Sequence, residues 1–210
     1  MRYWIAIFFI LLGLTCFSQE VEPTDSIKQK RYGIVFTPTR AAVSSGLIIG
    51  PLGSESICGY PYYKKSNGLG IQLIGQGLFL IFSPFDSYLY MGKEVENPTS
   101  LDSLKSQDQL RAVHNGLLVS TLGALSTKIN GITISAVAGM GDKVNGVASN
   151  LIRNQFIYVN GLELGLINEA GKVNGIQIGL INKTTKLKGL QIGLWNVNSK
   201  RKLPIMNWGI

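Results

Sequence analysis

The chain is short of the residue types from which reaction centres are usually assembled. Its 210 residues include one histidine, His114, and two cysteines, Cys16 and Cys58. A lone histidine without a cysteine cluster cannot complete a usual zinc site, and with no identifiable partner in sequence it is a poor general base. Cys58 would act as a nucleophile only if His114 approached it in the fold; the alternative is a small buried thiol. Acids are few, 12 Asp and Glu against 20 Lys and Arg. Asp86, Glu94, Glu96, Asp102 and Asp108 gather in one polar stretch, where nothing fixes the separation that paired carboxylates need for hydrolysis. The glycine-rich "GMGDKVNG" (Gly139 to Gly146) leads into another β pattern, so it lacks the helix terminus of a phosphate-binding or dinucleotide-binding loop. These shortages predict no catalytic residues, no cofactor-binding residues and no metal site; the chain reads as a non-enzyme.

Long apolar runs are also missing once the N-terminus is passed, where the longest, "GLFLIF" (Gly77 to Phe82), is only strand-sized. The first residues differ. "MRYWIAIFFILLGLTCFSQE" carries one Arg, an apolar run from Tyr3 to Leu14, and small residues at Cys16 and Ser18. That order predicts a secretory signal peptide over residues 1–18, with lipidation of Cys16 as an alternative that Thr15 disfavours. Cleavage after Ser18 removes Arg2 and no acid, leaving 19 basic against 12 acidic residues, a net charge of +7. Cys58 would then stand alone, so no intrachain disulfide is available and stability must come from packing and strand pairing. About 190 residues remain, enough for one domain with its own core.

What the chain has in abundance is a repeat. Aligned on a glycine, units open at Gly116 (NGLLVSTLG), Gly131 (NGITISAVAG), Gly146 (NGVASNLIR), Gly161 (NGLELGLIN), Gly175 (NGIQIGLIN) and Gly189 (KGLQIGLWN), spaced 15, 15, 15, 14 and 14 residues apart. A nearly fixed short period of this kind signals stacked structural units. Looser echoes stand at "SSGLIIGPLG" (Ser44 to Gly53) and "SNGLGIQLIG" (Ser66 to Gly75). Within a unit the apolar residues alternate, which is the pattern of a strand. Ile176, Ile178 and Leu180 are expected to point one way, into a core, with Gln177 and Gly179 on the other face. Ile129, Val144, Val159, Val173, Leu187 and Leu203 supply a second apolar position that closes each unit.

Two architectures fit this period. In a β-solenoid (β-roll) each 14–15-residue unit is one coil, units pair in parallel about 4.8 Å apart, and identical residues form columns. In an antiparallel meander closed into an outer-membrane β-barrel, each unit is one tilted strand and a turn. The solenoid is favoured. The apolar face between Asn174 and Asn182 is three side chains tall, short of the apolar band of about 25 Å on a membrane barrel. Long and short turns do not alternate, Pro204 falls where a closing strand needs a donor, and Asn168, Asn182 and Asn196 recur where amides can bond from rung to rung. The expected organisation is a signal peptide at 1–18, a disordered segment at 19–31, and one β-repeat domain at 32–210 with a polar loop insertion at about 92–114. A helical turn is expected near 101–110. "NGVASNLIRNQFIYV" (Asn145 to Val159) lacks the second glycine, which predicts an irregular rung.

The units "GLELGLIN", "GIQIGLIN" and "GLQIGLWN", followed by "KRKLPIMNW" (Lys200 to Trp208), resemble the uncharacterised bacterial surface-repeat protein family built from tandem GLQIGLIN-type repeats. The likeness is specific over Gly116 to Trp208 and looser over Tyr32 to Leu80. It implies an exported or cell-surface protein of Gram-negative bacteria, secreted or held at the outer membrane or in the periplasm, with no assigned reaction. The period is also similar to that of the β-roll in the heads of trimeric autotransporter adhesins, which offers a geometric precedent only.

One candidate binding feature remains. A lysine precedes each unit's glycine by three positions at Lys128, Lys143, Lys172 and Lys186, with Lys200 in the corresponding place before Leu203 and Tyr158 interrupting the series. In a solenoid these form one positive edge, with neighbours closer than a Debye length of about 8 Å. Such an edge either binds a polyanion, such as lipid phosphate or acidic polysaccharide of the cell envelope, or is a solvated edge that discourages aggregation. Export argues against nucleic acid as partner. Aromatics between Tyr60 and Tyr90 are read as a cap on the first rung, or as a membrane-interface belt in the barrel alternative, and open solenoid ends make self-association a further expectation.

Overall fold

A computed structural model describes residues 30–37, 39, 41–51, 64–75 and 112–210. Their period-two stretches form strands: β1 (Lys30–Phe36), β2 (Val43–Gly50), β3 (Lys64–Gln72), β4 (Ala112–Ser120), β5 (Gly123–Leu125), β6 (Lys128–Ser135), β7 (Ala138–Asn150), β8 (Arg153–Leu164), β9 (Ile167–Ile178), β10 (Ile181–Val197) and β11 (Lys202–Gly209). Among the described residues there is no helix. A lone unit exposes an unpaired backbone edge, and the next copy satisfies it. The strands accordingly hydrogen-bond in the order β1-β2-β3-β4-β6-β7-β8-β9-β10-β11, with β5 beside β7. Every pairing is parallel until β10, where β11 returns antiparallel.

This is a β-solenoid. No pairing joins β1 to β11, so the sheet is a stack of coils and not a closed barrel. One strand lines the interior from more than one side: Asn168 and Ala170 from the first half of β9 are buried, as are Val173 and Gln177 from its second half. The core consists of columns. Ile129, Val144, Val159 and Val173 stack in register, with Leu187 packed on them, and Phe156, Ala170, Ala148 and Leu118 fill the space opposite.

The register keeps the repeat. Gly33, Gly46, Gly68, Gly116, Gly131, Gly146, Gly161, Gly175 and Gly189 form one column, each paired with the next. Each has a positive φ, 136° at Gly161. A Cβ built on Gly161 would run into the carbonyl oxygen of Gly146 in the preceding rung, so both backbone conformation and spacing demand glycine. The echoes at Gly46 and Gly68 are therefore true rungs. Gly33 heads a rung that the sequence pattern left unmarked.

The direction of the strand faces is the reverse of the sequence expectation. Gln177 is 0% exposed, whereas Ile176, Ile178 and Leu180 are 38, 40 and 47% exposed. The cause lies in the asparagine that closes each coil. Asn168 points inward, donating through Nδ2 to the Ile178 carbonyl at 2.9 Å and to Asn182 Oδ1 at 2.8 Å. A Cβ on Gly179 would come within 2.6 Å of Asn168 Nδ2, so the second glycine of the unit must face the asparagine across the interior. Alternation then puts Gln177 inside and both isoleucines outside. The apolar columns exist as expected, but on the outer surface.

Other expectations need smaller corrections. Leu203 does not close a further coil: it pairs with Asn196 in antiparallel β11, at a bulge beside Pro204 and Ile205, whose φ is 63°. The rung from Asn145 to Val159 stays in register, because Asn150 fills the place of the missing glycine and bonds Ser135 Oγ and Asn154 Oδ1 at 2.5 Å each. Lys30 and Arg31, assigned to the disordered segment, are strand, as are residues 112–114, assigned to the loop insertion. The signal peptide, the helical turn, Cys58, the clustered loop acids and the aromatics from Tyr60 to Tyr90 lie outside the described residues.

Candidate functional site

The lysine edge is a column. Register pairs Lys128 with Lys143, Lys143 with Tyr158, Tyr158 with Lys172 and Lys172 with Lys186, so these side chains repeat once per rung. Rungs about 4.8 Å apart hold neighbouring ammonium groups well within a Debye length. Val113, paired with Lys128, and Lys65, paired with Val113 across β3 and β4, carry the column toward the N-terminus. Lys200 does not belong to it. That residue is exposed in the turn between β10 and β11, because the chain reverses before another parallel rung can form.

Charge on this surface is one-sided. Among the described residues the acids are Asp142, Glu163 and Glu169, and only Asp142 is exposed. Glu169 is buried between cations: Arg153 reaches its Oε2 through Nε at 3.1 Å and Nη2 at 2.8 Å, and Lys183 Nζ lies 3.4 Å from Oε1. Glu163 is buried in the interior, and burial pushes its pKa up to about 8 against an opposing hydrogen bond from Gln177. The interior therefore favours its neutral form.

Beyond the glycine column lies the displaced apolar surface. Leu69, Leu117, Ile132, Val147, Leu162, Ile176 and Leu190 form one outward column, and Ile71, Val119, Ile134, Ser149, Leu164, Ile178 and Ile192 another. Leu151, Leu166, Leu180 and Leu194 add a third, exposed line at the next bend. Trp195 and Trp208 stand exposed near the C-terminal end, with the Arg201 guanidinium 4.5 Å from the Trp208 ring centroid. This surface is what the sequence reading missed; the signal available was a glutamine held between two aliphatics and two glycines in successive units.

Inside, polar ladders run along the axis. Glu163 Oε2 accepts from Gln177 Nε2 at 2.6 Å, Gln177 Oε1 from Gln191 Nε2 at 2.8 Å, and Gln191 Oε1 from Asn207 Nδ2 at 3.1 Å. Asn168, Asn182 and Asn196 form the expected amide ladder, which Asn154 extends by one rung, at 2.7 to 2.8 Å. A further one, on the outer side of the coil and unmarked by the sequence reading, joins Asn67, Asn115, Asn130, Asn145 and Asn160 at 2.7 to 2.9 Å.

His114 sits in β4, in register with Ile129 of the core column, and its Nδ1 lies 2.8 Å from Ser66 Oγ. Both residues are buried, and burial lowers the histidine pKa. The contact has the reach of a nucleophile and its base, but the adjoining cavity, lined by Thr37, Ile48, Gly70, Gln72 and Leu118 among others, measures about 10 Å³. That is room for about one water, not a substrate. The pair fits a packing role: with no side chain on Gly70, His114 and Leu118 close over the gap. Among the described residues no group of three His, Cys, Asp or Glu is placed to hold a metal ion. No family model, curated protein or solved structure matches this chain.

Proposed function

We propose that this chain is a non-catalytic, exported binding or structural module of the bacterial envelope, whose lysine column engages repetitive polyanions such as lipid phosphate or acidic polysaccharide. The observation that carries this reading is the register that brings Lys128, Lys143, Lys172 and Lys186 into one line on a surface with a single exposed acid among the described residues. A regular row of like charges costs self-repulsion, and a polyanion of comparable repeat relieves it. The signal-like first 18 residues and the likeness to tandem GLQIGLIN-type surface repeats support an envelope location.

Charge reversal tests the reading. The triple variant Lys128→Glu, Lys143→Glu and Lys172→Glu is expected to weaken binding to an acidic polysaccharide at least tenfold at low salt, with the circular dichroism spectrum unchanged. Equal binding by both proteins would remove the lysine column from the proposal. Deleting residues 1–18 is expected to hold the protein in the cytoplasm on fractionation.

A further inference from the structure

Among the described residues the outward aliphatic columns have no partner, while the coil interior is already filled. They run across successive rungs from β3 to β10, a face about 30 Å long at the usual strand spacing. A contiguous apolar surface of that extent marks an interaction site. Its surroundings indicate the partner. The lysine column lies on the other side of the glycine column, four residues along the chain from the first aliphatic line, a chain distance of at most about 14 Å. Two exposed tryptophans, Trp195 and Trp208, stand at one end, and tryptophan favours the boundary between headgroups and acyl chains.

We infer that the solenoid lies on an anionic lipid bilayer, with the aliphatic columns in the headgroup and acyl boundary and the lysine column against lipid phosphates. This rests on the polyanion reading above for the lysines and adds the bilayer as the specific partner. Charge complementarity selects the bilayer over a second copy of the chain. A second copy would bring another basic surface whose one exposed acid among the described residues is Asp142, whereas an anionic bilayer supplies an apolar layer edged with negative charge. The arrangement is the β counterpart of an amphipathic helix lying in the interface plane, where apolar burial and attraction to anionic lipid act together.

The test uses the full chain with vesicles of mixed phosphatidylglycerol and phosphatidylcholine, vesicles of phosphatidylcholine alone, and a soluble acidic polysaccharide. Two variants accompany it: Ile134→Ser with Ile178→Ser and Ile192→Ser, on the exposed face, and the triple lysine reversal. Wild type is expected to sediment with the anionic vesicles at least tenfold better than with the neutral ones. The serine variant is expected to lose at least tenfold in vesicle binding while keeping its polysaccharide binding, its circular dichroism spectrum and its melting temperature within a few degrees. The lysine variant is expected to lose both kinds of binding. Undiminished vesicle binding by the serine variant overturns the inference. So does polysaccharide binding without vesicle binding, which leaves the polyanion reading standing, and absence of both, which removes the two together. A wild-type dimer that ignores vesicles and that the serine substitutions convert to monomer overturns it in favour of a second copy.

Discussion

Replacing Glu163 with glutamine should stabilise this protein and remove most of its sensitivity to mildly alkaline pH. Glu163 is 0% exposed, with Ala148 in the preceding rung and Gln177 in the following one. Its Oε2 accepts the Gln177 amide, and its Oε1 has no partner among the described residues. Burial dominates, raising the folded pKa from 4.5 to about 8, with repulsion from Glu169 adding to it. A raised folded pKa means that the stabilising contribution is complete below the unfolded value and lost as pH rises through the folded value. Each unit between the two is worth about 1.4 kcal/mol. His114 has the opposite sense: its lowered pKa makes stability fall as pH drops below 6.5, so the two residues offset each other in acid. Between 6.5 and 8, of these two groups, only Glu163 contributes. Wild-type stability should fall by about 2 kcal/mol over that window, read from denaturant melts at half-unit steps. Glu163→Gln should be flat there and more stable than wild type at pH 8 by about 2–4 kcal/mol, after allowance for an amide donor left unpaired at the orphaned Oε1 position. A flat wild-type profile, or a variant less stable than wild type at pH 8, would show that the interior around Glu163 is wet and refute the reasoning.

Three further outcomes concern the columns. Gly161→Ala places a methyl against the Gly146 carbonyl at a φ of 136° and should cost about 3 kcal/mol or more, while Gly33→Ala, at a φ of 89° with nothing within 4 Å on the edge strand, should cost only about 1–2 kcal/mol; thermal melts of the two distinguish inter-rung contact from backbone strain. Asn182→Ala removes the acceptor for Asn168 and the donor to both Asn196 and the Ile192 carbonyl, and should cost about 2–4 kcal/mol. Asn182→Asp should cost more at pH 7 than at pH 4, because the buried carboxylate can keep the Asn168 donor but has none to offer in return.

Much of the fold is legible because the repeat is a physical constraint. Once units pair in parallel without slippage, a residue that recurs at the unit's period must sit beside its copies, so the lysine column and the Asn168–Asn182–Asn196 ladder follow from spacing alone. Lys200 and Leu203 show where that reasoning stops: they keep the numerical period, but Pro204 and the bulge at Ile205 belong to a strand that turns back, and reversal breaks the columns. His114 shows a different limit. The residue that pairs with it, Ser66, is 48 positions away in sequence, and only the pairing of β3 with β4 brings the two together.

By itself the sequence determined that the chain is all-β, that its units stack, and which residues share a column, since a fixed period leaves parallel strands few other registers. It did not determine which face is the inside. An alternating strand has two faces, and Ile176 with Ile178 looked the better core than Gln177. Only the closed coil decided otherwise: an inward asparagine ladder requires glycine opposite it, alternation then turns the glutamines inward to bond one another, and the aliphatic residues are left on the outer surface.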